Sequence, residues 1–186
     1  MTFILKHANS KDANAIATLQ AKSWQSAYRN SLSDDYLDNH VLKDRKEVWQ
    51  KRFETENPNQ FVCLAREHKN DYYVIGFVCV FANYDPNFGA MLDNLHVDKA
   101  FQGKGLGKLL MLRAARWLRD LDQKENSSMF LWVFETNHSA RKLYEGLGGI
   151  NHEVSNEPMP DGNSVSGIRY VWKDVASLCK ILQNNP

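Results

Sequence analysis

The spacing of apolar and polar positions changes period along this chain, and each change marks an element. Residues 2 to 6 read as a first strand. Ser10 offers a hydroxyl to the free amides of a helix start. From there Ala13, Ile16, Ala17, Trp24, Ala27 and Tyr28 recur at helical spacing. A second helical pattern runs from Ser33 towards Phe53. It carries Leu37, Val41, Val48, Trp49 and Phe53 on one side, and Asp34 and Asp35 in its first turn, where carboxylates favour the helix dipole.

The period then shortens to two. Residues 61–67 (FVCLARE) and 72–81 (YYVIGFVCVF) read as strands around the turn HKND, and 90–97 (AMLDNLHV) as another. Leu106, Leu110, Ala114, Trp117 and Leu121 form a helical stripe, 128–134 (SMFLWVF) is strand again, and Asn137 opens a helix that lasts to Gly146. Strand-like pieces near 149–154 and 165–172 surround the loop SNEPMPDGN, and VASLCKIL is a short terminal helix. Strand and helix alternate in the second half, which predicts at least one parallel strand pair in a single α/β domain spanning 1–186.

Composition narrows the function. Apolar residues are 43% and charged residues 24% of the chain, an ordinary globular balance. The net charge of +1 gives no field that would draw in nucleic acid or an anionic membrane. Cys63, Cys79 and Cys179 have no CxxC spacing, so buried free thiols are expected in place of disulfides or a zinc site. The opening MTFILKHANSKD is too briefly apolar for a signal peptide, and a cytoplasmic location follows. His7, His40, His68, His96, His138 and His152 are scattered without metal spacing, so no metal is expected.

The distinctive stretch is LHVDKAFQGKGLGKLLML, 95–112. Glycines let a backbone approach an anion closely, and a helix starting near Lys104 would present free amides flanked by Lys104 and Lys108. The spacing fails both common nucleotide signatures. A GxGxxG would need glycine where Lys108 stands, and a Walker A loop would need glycine at Gln102 and a hydroxyl residue at Leu109. What remains is an apolar strand ending in Val97, then Gln102-Gly103-Lys104-Gly105-Leu106-Gly107.

That pattern resembles the acetyl-CoA pyrophosphate site of the GCN5-related N-acetyltransferase (GNAT) family. A second segment resembles the family's other signature through Asn137, Ala140, Tyr144 and Gly148, and SWQSAYRNSLSDDYLD (23–38) resembles the acceptor-side helices of many bacterial members. The resemblance implies a mixed central sheet of about six to seven strands with parallel strands 4 and 5 splayed apart, flanked by about four helices. It implies acetyl-CoA as acetyl donor and transfer to a primary amine of a small molecule, polyamine or peptide by direct attack in a ternary complex. It admits a homodimer.

Residue by residue, it implies that main-chain groups of Leu95, His96 and Val97 hold the pantetheine arm and thioester. It gives the pyrophosphate to Gln102, Gly103, Lys104, Gly105, Leu106, Gly107 and Lys108, further cofactor contacts to Asn137 and Arg141, and the acceptor side to Trp24, Tyr28 and Tyr36. The side chain of His96 points to the other face from Leu95 and Val97 and has a structural reading. Tyr144 is the general acid by resemblance, whereas by periodicity alone it belongs to the apolar stripe Ala140, Leu143, Tyr144 and Leu147. Many members carry a glutamate where this chain has Met91. Asp93 shares that side of a regular strand and is the candidate base, with Glu135, water or an already neutral substrate as alternatives. From another functional class, a non-catalytic CoA-binding regulatory module would use the same glycine turn.

Overall fold

A strand that loses its neighbour partway along is what opens this sheet. The computed structural model describes residues 3–67, 70–121 and 127–184. Its strands are β1 (Phe3–His7), β2 (Gln60–Glu67), β3 (Asn70–Asp85), β4 (Gly89–Val97), β5 (Met129–Phe134), β6 (Ile150–Pro158) and β7 (Ser164–Trp172). They form one sheet in the order β1-β2-β3-β4-β5-β7-β6. The β4–β5 pair is parallel, and its register is confined to Ala90 with Met129 and Met91 with Phe130. Beyond Met91 the two strands part, as the splayed pair expected from the sequence.

Among the described residues, five helices cover the sheet: α1 (Ala13–Ala27), α2 (Val41–Glu54), α3 (Leu106–Leu121), α4 (His138–Gly146) and α5 (Val175–Asn184). α1 and α2 bury Ile16, Ala17, Leu19 and Trp49 against Val62, Leu64, Phe77 and Cys79 on one face. α3, α4 and α5 bury Leu110, Met111, Tyr144 and Leu178 against Ile75, Val78, Leu92 and Leu131 on the other. The three cysteines are free and buried.

Several boundaries move from their expected places, each for a local reason. Asn9, not Ser10, caps the first helical turn. Its Oδ1 accepts from the Lys11 amide while the Asp12 carboxylate accepts from the Asn9 amide. The helix read from Ser33 onward is broken by a π-helical turn at Tyr36–His40 before α2 begins. α3 starts at Leu106, two residues after Lys104, because Gly103 and Gly105 both have positive φ (72° and 79°). β6 runs on to Pro158, shortening the expected loop. The turn read at 68–71 falls partly on residues 68 and 69, outside the described residues.

Candidate active site

β4 lies in the middle of the sheet, yet Asp93, Asn94, Leu95 and Val97 are only half-buried. Its neighbour β3 is buried from Val74 to Val80. Missing β5 pairing explains the contrast, and the hydrogen-bond pattern shows which groups it leaves bare. The Asp98 amide donates to the Ile75 carbonyl at 2.9 Å while Val97 sits opposite Gly76. This makes Val97–Gly76 a non-hydrogen-bonded pair of the antiparallel ladder. The N–H and C=O of Val97, and by alternation those of Leu95, therefore face the β5 side, where the ladder has ended. Gln102 meets part of that edge, since its Nε2 donates to the Val97 carbonyl at 2.9 Å. A main-chain group left unpaired in a closed site costs about 1–3 kcal/mol, so this edge favours a ligand that supplies its own polar groups.

His96 is turned the other way on both counts. Its main chain pairs with Phe77 on β3, and its ring packs on Phe77 with Nδ1 2.9 Å from the Ser23 hydroxyl on α1. Burial, then the charge of Arg45, lowers its pKa to about 4, so the imidazole is neutral. Among Leu95, His96 and Val97, the structure aligns the first and third along the gap and separates His96 from it.

At the head of the gap lies the glycine turn. Gly103 and Gly105 take their left-handed conformations at the N-terminus of α3, whose first amides have no helical partners. A Cβ on Gly107 would stand 3.8 Å from Val97 Cγ2, so this glycine faces the end of β4. Lys104 is anchored over Phe101 and donates to the Ala100 carbonyl at 2.7 Å. Lys108 is half-buried in the first turn of α3.

Asn137 caps α4 by accepting from the Ala140 amide at 3.2 Å. Arg141 does not extend as a free surface arm: its Nη1 donates to the Glu135 carbonyl at 3.0 Å. Tyr144 is buried, with Tyr170 and Trp172 rings each 6.0 Å away. Burial, then the neighbouring Tyr28, raises its pKa, so its hydroxyl keeps its proton.

On the α1 side an aromatic wall follows. Tyr28 lies 4.4 Å from Phe134 at the end of β5 and 5.6 Å from Trp24. The Arg45 guanidinium already occupies the Trp24 face at 4.6 Å. Tyr36 is buried, and its hydroxyl donates to Asp44, which also receives Arg45 at 2.9 Å. Asp34 and Asp38 both pair with Arg29. The carboxylates of this rim are thus partly neutralised from within. The β6–β7 loop reaches this rim, because Asp161 accepts from the Ser33 amide at 2.7 Å. A cavity of about 460 Å³ lies behind it between Tyr36, Asp44, Glu47 and Asp161. A second, of about 480 Å³, is at the opposite end of the sheet beside Gly89 and Ser128, away from the gap.

Asp93 is the extra residue of a β-bulge: Cys79 pairs with Asn94 and Val80 with Leu92, leaving Asp93 without a partner on β3. Its carboxylate is 2.6 Å from Arg52 Nη1 of α2. Glu135 is exposed and accepts from the Ser166 hydroxyl at 2.8 Å. Sequence reasoning missed Arg45, Arg52, Trp132, Phe134 and Arg169. The last stacks over Phe88 and Trp132 at 4.1 and 4.7 Å, on the side of the sheet that α1 and α2 leave uncovered. The alternation along β5 could have placed Trp132 and Phe134 there. No local signal marks the arginines. Among the described residues, no group of three His, Cys, Asp or Glu side chains could hold a metal ion, and no helix is long and apolar enough to cross a membrane.

The model of the acetyltransferase (GNAT) family matches residues 14–148. The uncharacterized N-acetyltransferase YuaI of Bacillus subtilis (strain 168) is 27% identical over 96% of this chain and 97% of its own. A probable spermine N(1)-acetyltransferase of Bacillus subtilis subsp. natto is 31% identical over 47% of this chain and 66% of its own. The crystal structure of the PaiA N-acetyltransferase of Thermoplasma acidophilum in complex with coenzyme A superposes with a TM-score of 0.65. It shares 18% identity and covers 90% of this chain and 98% of that one, a likeness of fold.

Proposed function

The chain belongs to the acetyltransferase (GNAT) family, and from that premise we propose that it is an acetyl-CoA-dependent N-acetyltransferase acting on a primary amine by direct attack in a ternary complex. The observation that carries this is the bare main-chain edge of Leu95 and Val97, set beside the positive-φ glycine turn of Gly103 and Gly105. The two features fit a ligand with an amide-bearing arm at one end and a diphosphate at the other. When bound, acetyl-CoA supplies an activated acetyl group.

In this reading Leu95 and Val97 bind the arm and thioester, and a Leu95 amide aimed into the gap stabilises negative charge developing on an acyl oxygen. Gln102, Gly103, Lys104, Gly105, Leu106, Gly107 and Lys108 hold the diphosphate. Asn137 spends its carbonyl on the α4 cap and offers its amide nitrogen to the arm. Tyr144, protonated throughout the neutral range, donates from Oη to the departing thiolate.

Asp93 is engaged by Arg52 and is not a free carboxylate, so water takes the proton from the substrate ammonium, and the neutral amine then attacks the thioester carbonyl. Trp24, Tyr28 and Tyr36 shape the acceptor side. Arg29 and Arg45 offset two of the three charges of Asp34, Asp38 and Asp44, so that side keeps net negative charge. A cationic small-molecule amine, polyamine or peptide amine suits it, and the reaction is cytoplasmic. The test is calorimetric titration with acetyl-CoA, followed by thiol release against a panel of amines. Binding and release are expected with one class among small-molecule amines, polyamines and peptide amines. Binding without release on any amine would favour a non-catalytic CoA-binding module, and no binding would overturn the function.

A further inference from the structure

The half of β4 that borders the gap has a mechanical problem. It has lost its β5 neighbour after Met91, and the bulge at Asp93 interrupts its ladder to β3 at the same place. A bulge bends and twists its strand, and a strand paired on one side only resists such bending poorly. Leu95 and Val97, which need a fixed direction to be useful, lie immediately beyond.

One side chain spans this weak point. Arg45, Trp49 and Arg52 share a face of α2 turned towards the sheet, at spacings of four and three residues. Arg52 Nη1 lies 2.6 Å from Asp93 Oδ2, donates to Asn94 Oδ1 at 3.0 Å, and lies 3.9 Å from Cys79 Sγ on β3. It therefore touches the bulged residue, the residue after it, and that residue's partner on β3. The guanidinium is itself held over the rings of Trp49 and Phe81, at 4.9 and 5.3 Å. The Arg52 and Asp93 side chains are 24% and 20% exposed, so the pair is only partly screened by water. The bulge also reverses the strand's parity. Ala90 and Leu92 face the α3 core before it, and Leu95 and Val97 pack towards the same core after it. Losing the bulge would turn Leu95 to the opposite face.

We propose that Arg52 is a positioning residue that locks the Asp93–Asn94 bulge and so fixes the direction of the Leu95 main chain along the gap. The proposal rests on the acetyl-CoA function above. Arg52 touches neither substrate; it acts through β4. Lysine replaces it poorly, because the planar guanidinium is held by its face over Trp49 and Phe81 while Nη1 reaches Asp93 and Asn94, and an ammonium has no such face.

The experiment compares the wild type with Arg52→Lys and with the double variant Arg52→Met/Asp93→Leu, which leaves no unpaired buried charge. Affinities for acetyl-CoA and for CoA are measured by calorimetry, alongside melting temperature and steady-state kinetics. CoA keeps the diphosphate and pantetheine but lacks the thioester oxygen. The expected result is that both variants melt near the wild type and lose less affinity for CoA, which uses only the pantetheine contacts of this edge, than for acetyl-CoA. They should bind acetyl-CoA about tenfold more weakly and lose turnover by about 100-fold, the effect of a misplacement near 1 Å. Unchanged acetyl-CoA affinity and turnover would overturn the proposal. Equal weakening of both ligands would also overturn it, by reducing Arg52 to a support of the fold. A wild type that binds neither ligand would overturn the acetyl-CoA function itself, and this proposal with it.

Discussion

The rings of Tyr28 and Phe134 lie 4.4 Å apart, one just past the last turn of α1 and the other at the end of β5. They join the two faces of the cleft at the level where β5 has left β4. Burial raises the Tyr28 pKa to about 12, so a neutral phenol borders Tyr144. Tyr28→Ala should remove about 1 kcal/mol of aromatic contact and raise the KM for the acceptor about tenfold, while acetyl-CoA affinity stays within twofold. Tyr28→Phe should behave as wild type. Steady-state kinetics on both variants checks this, and a KM change for acetyl-CoA alone would place Tyr28 on the donor side.

Much of this geometry was legible in the residues, and the illegible part has a physical cause. A parallel pair followed from the order of periodic segments and its splay from the family resemblance, and the glycine turn from residues that tolerate positive φ. His96 was readable as structural because simple alternation sets it opposite Leu95 and Val97. The bulge was not readable: Met91, Leu92, Asp93, Asn94 and Leu95 look like one regular alternation, and an extra residue shows only against the β3 register. The arginine that grips the bulge lies at long separation from its partners. Arg52 and Asn94, for example, are 42 positions apart, and no local pattern reports such a pair.

Tyr144→Phe tests the acid. The ring is fixed by Tyr170 and Trp172 whether or not it carries a hydroxyl. Turnover should therefore fall by about 10²–10⁴-fold, with acetyl-CoA affinity and melting temperature unchanged. Because burial raises the pKa, the wild-type rate should show no decline due to Tyr144 up to about pH 10, near the ordinary tyrosine value. Unchanged turnover in the variant would remove Tyr144 from the acid role.

Gly107→Ala separates anion binding from backbone strain, which substitutions at Gly103 and Gly105 cannot do at positive φ. At Gly107 a Cβ meets only Val97 Cγ2, at ordinary contact distance. Alanine is the better helix former by up to about 1 kcal/mol, so the melting temperature should hold or rise. The added methyl crowds the α3 amides, so acetyl-CoA should bind at least about tenfold more weakly. Gly146→Ala on α4, where a Cβ meets nothing within 4 Å, is the control and should leave binding alone. Normal acetyl-CoA affinity in Gly107→Ala would move the diphosphate away from this turn.

His96 couples stability to pH, with a definite sign. Its folded pKa is lowered to about 4 by burial and then by Arg45, below the ordinary value of 6.5. Between those values the unfolded chain takes up a proton that the folded protein refuses. The stabilisation is therefore complete above about pH 6.5 and is lost as pH falls towards 4, by roughly 3 kcal/mol in total. Urea unfolding of the wild type and His96→Gln at pH 7 and pH 4.5 isolates this contribution, because the carboxylates titrate alike in both. The variant should be less stable at pH 7, where it lacks the ring's packing on Phe77, and should lose less on acidification. Leu95 and Val97 flank His96, so a protonated imidazole pushing away from Ser23 and Arg45 should also weaken acetyl-CoA binding over the same interval. Identical acid sensitivity in the two proteins would show that His96 is not held neutral by the α1–β4 contact.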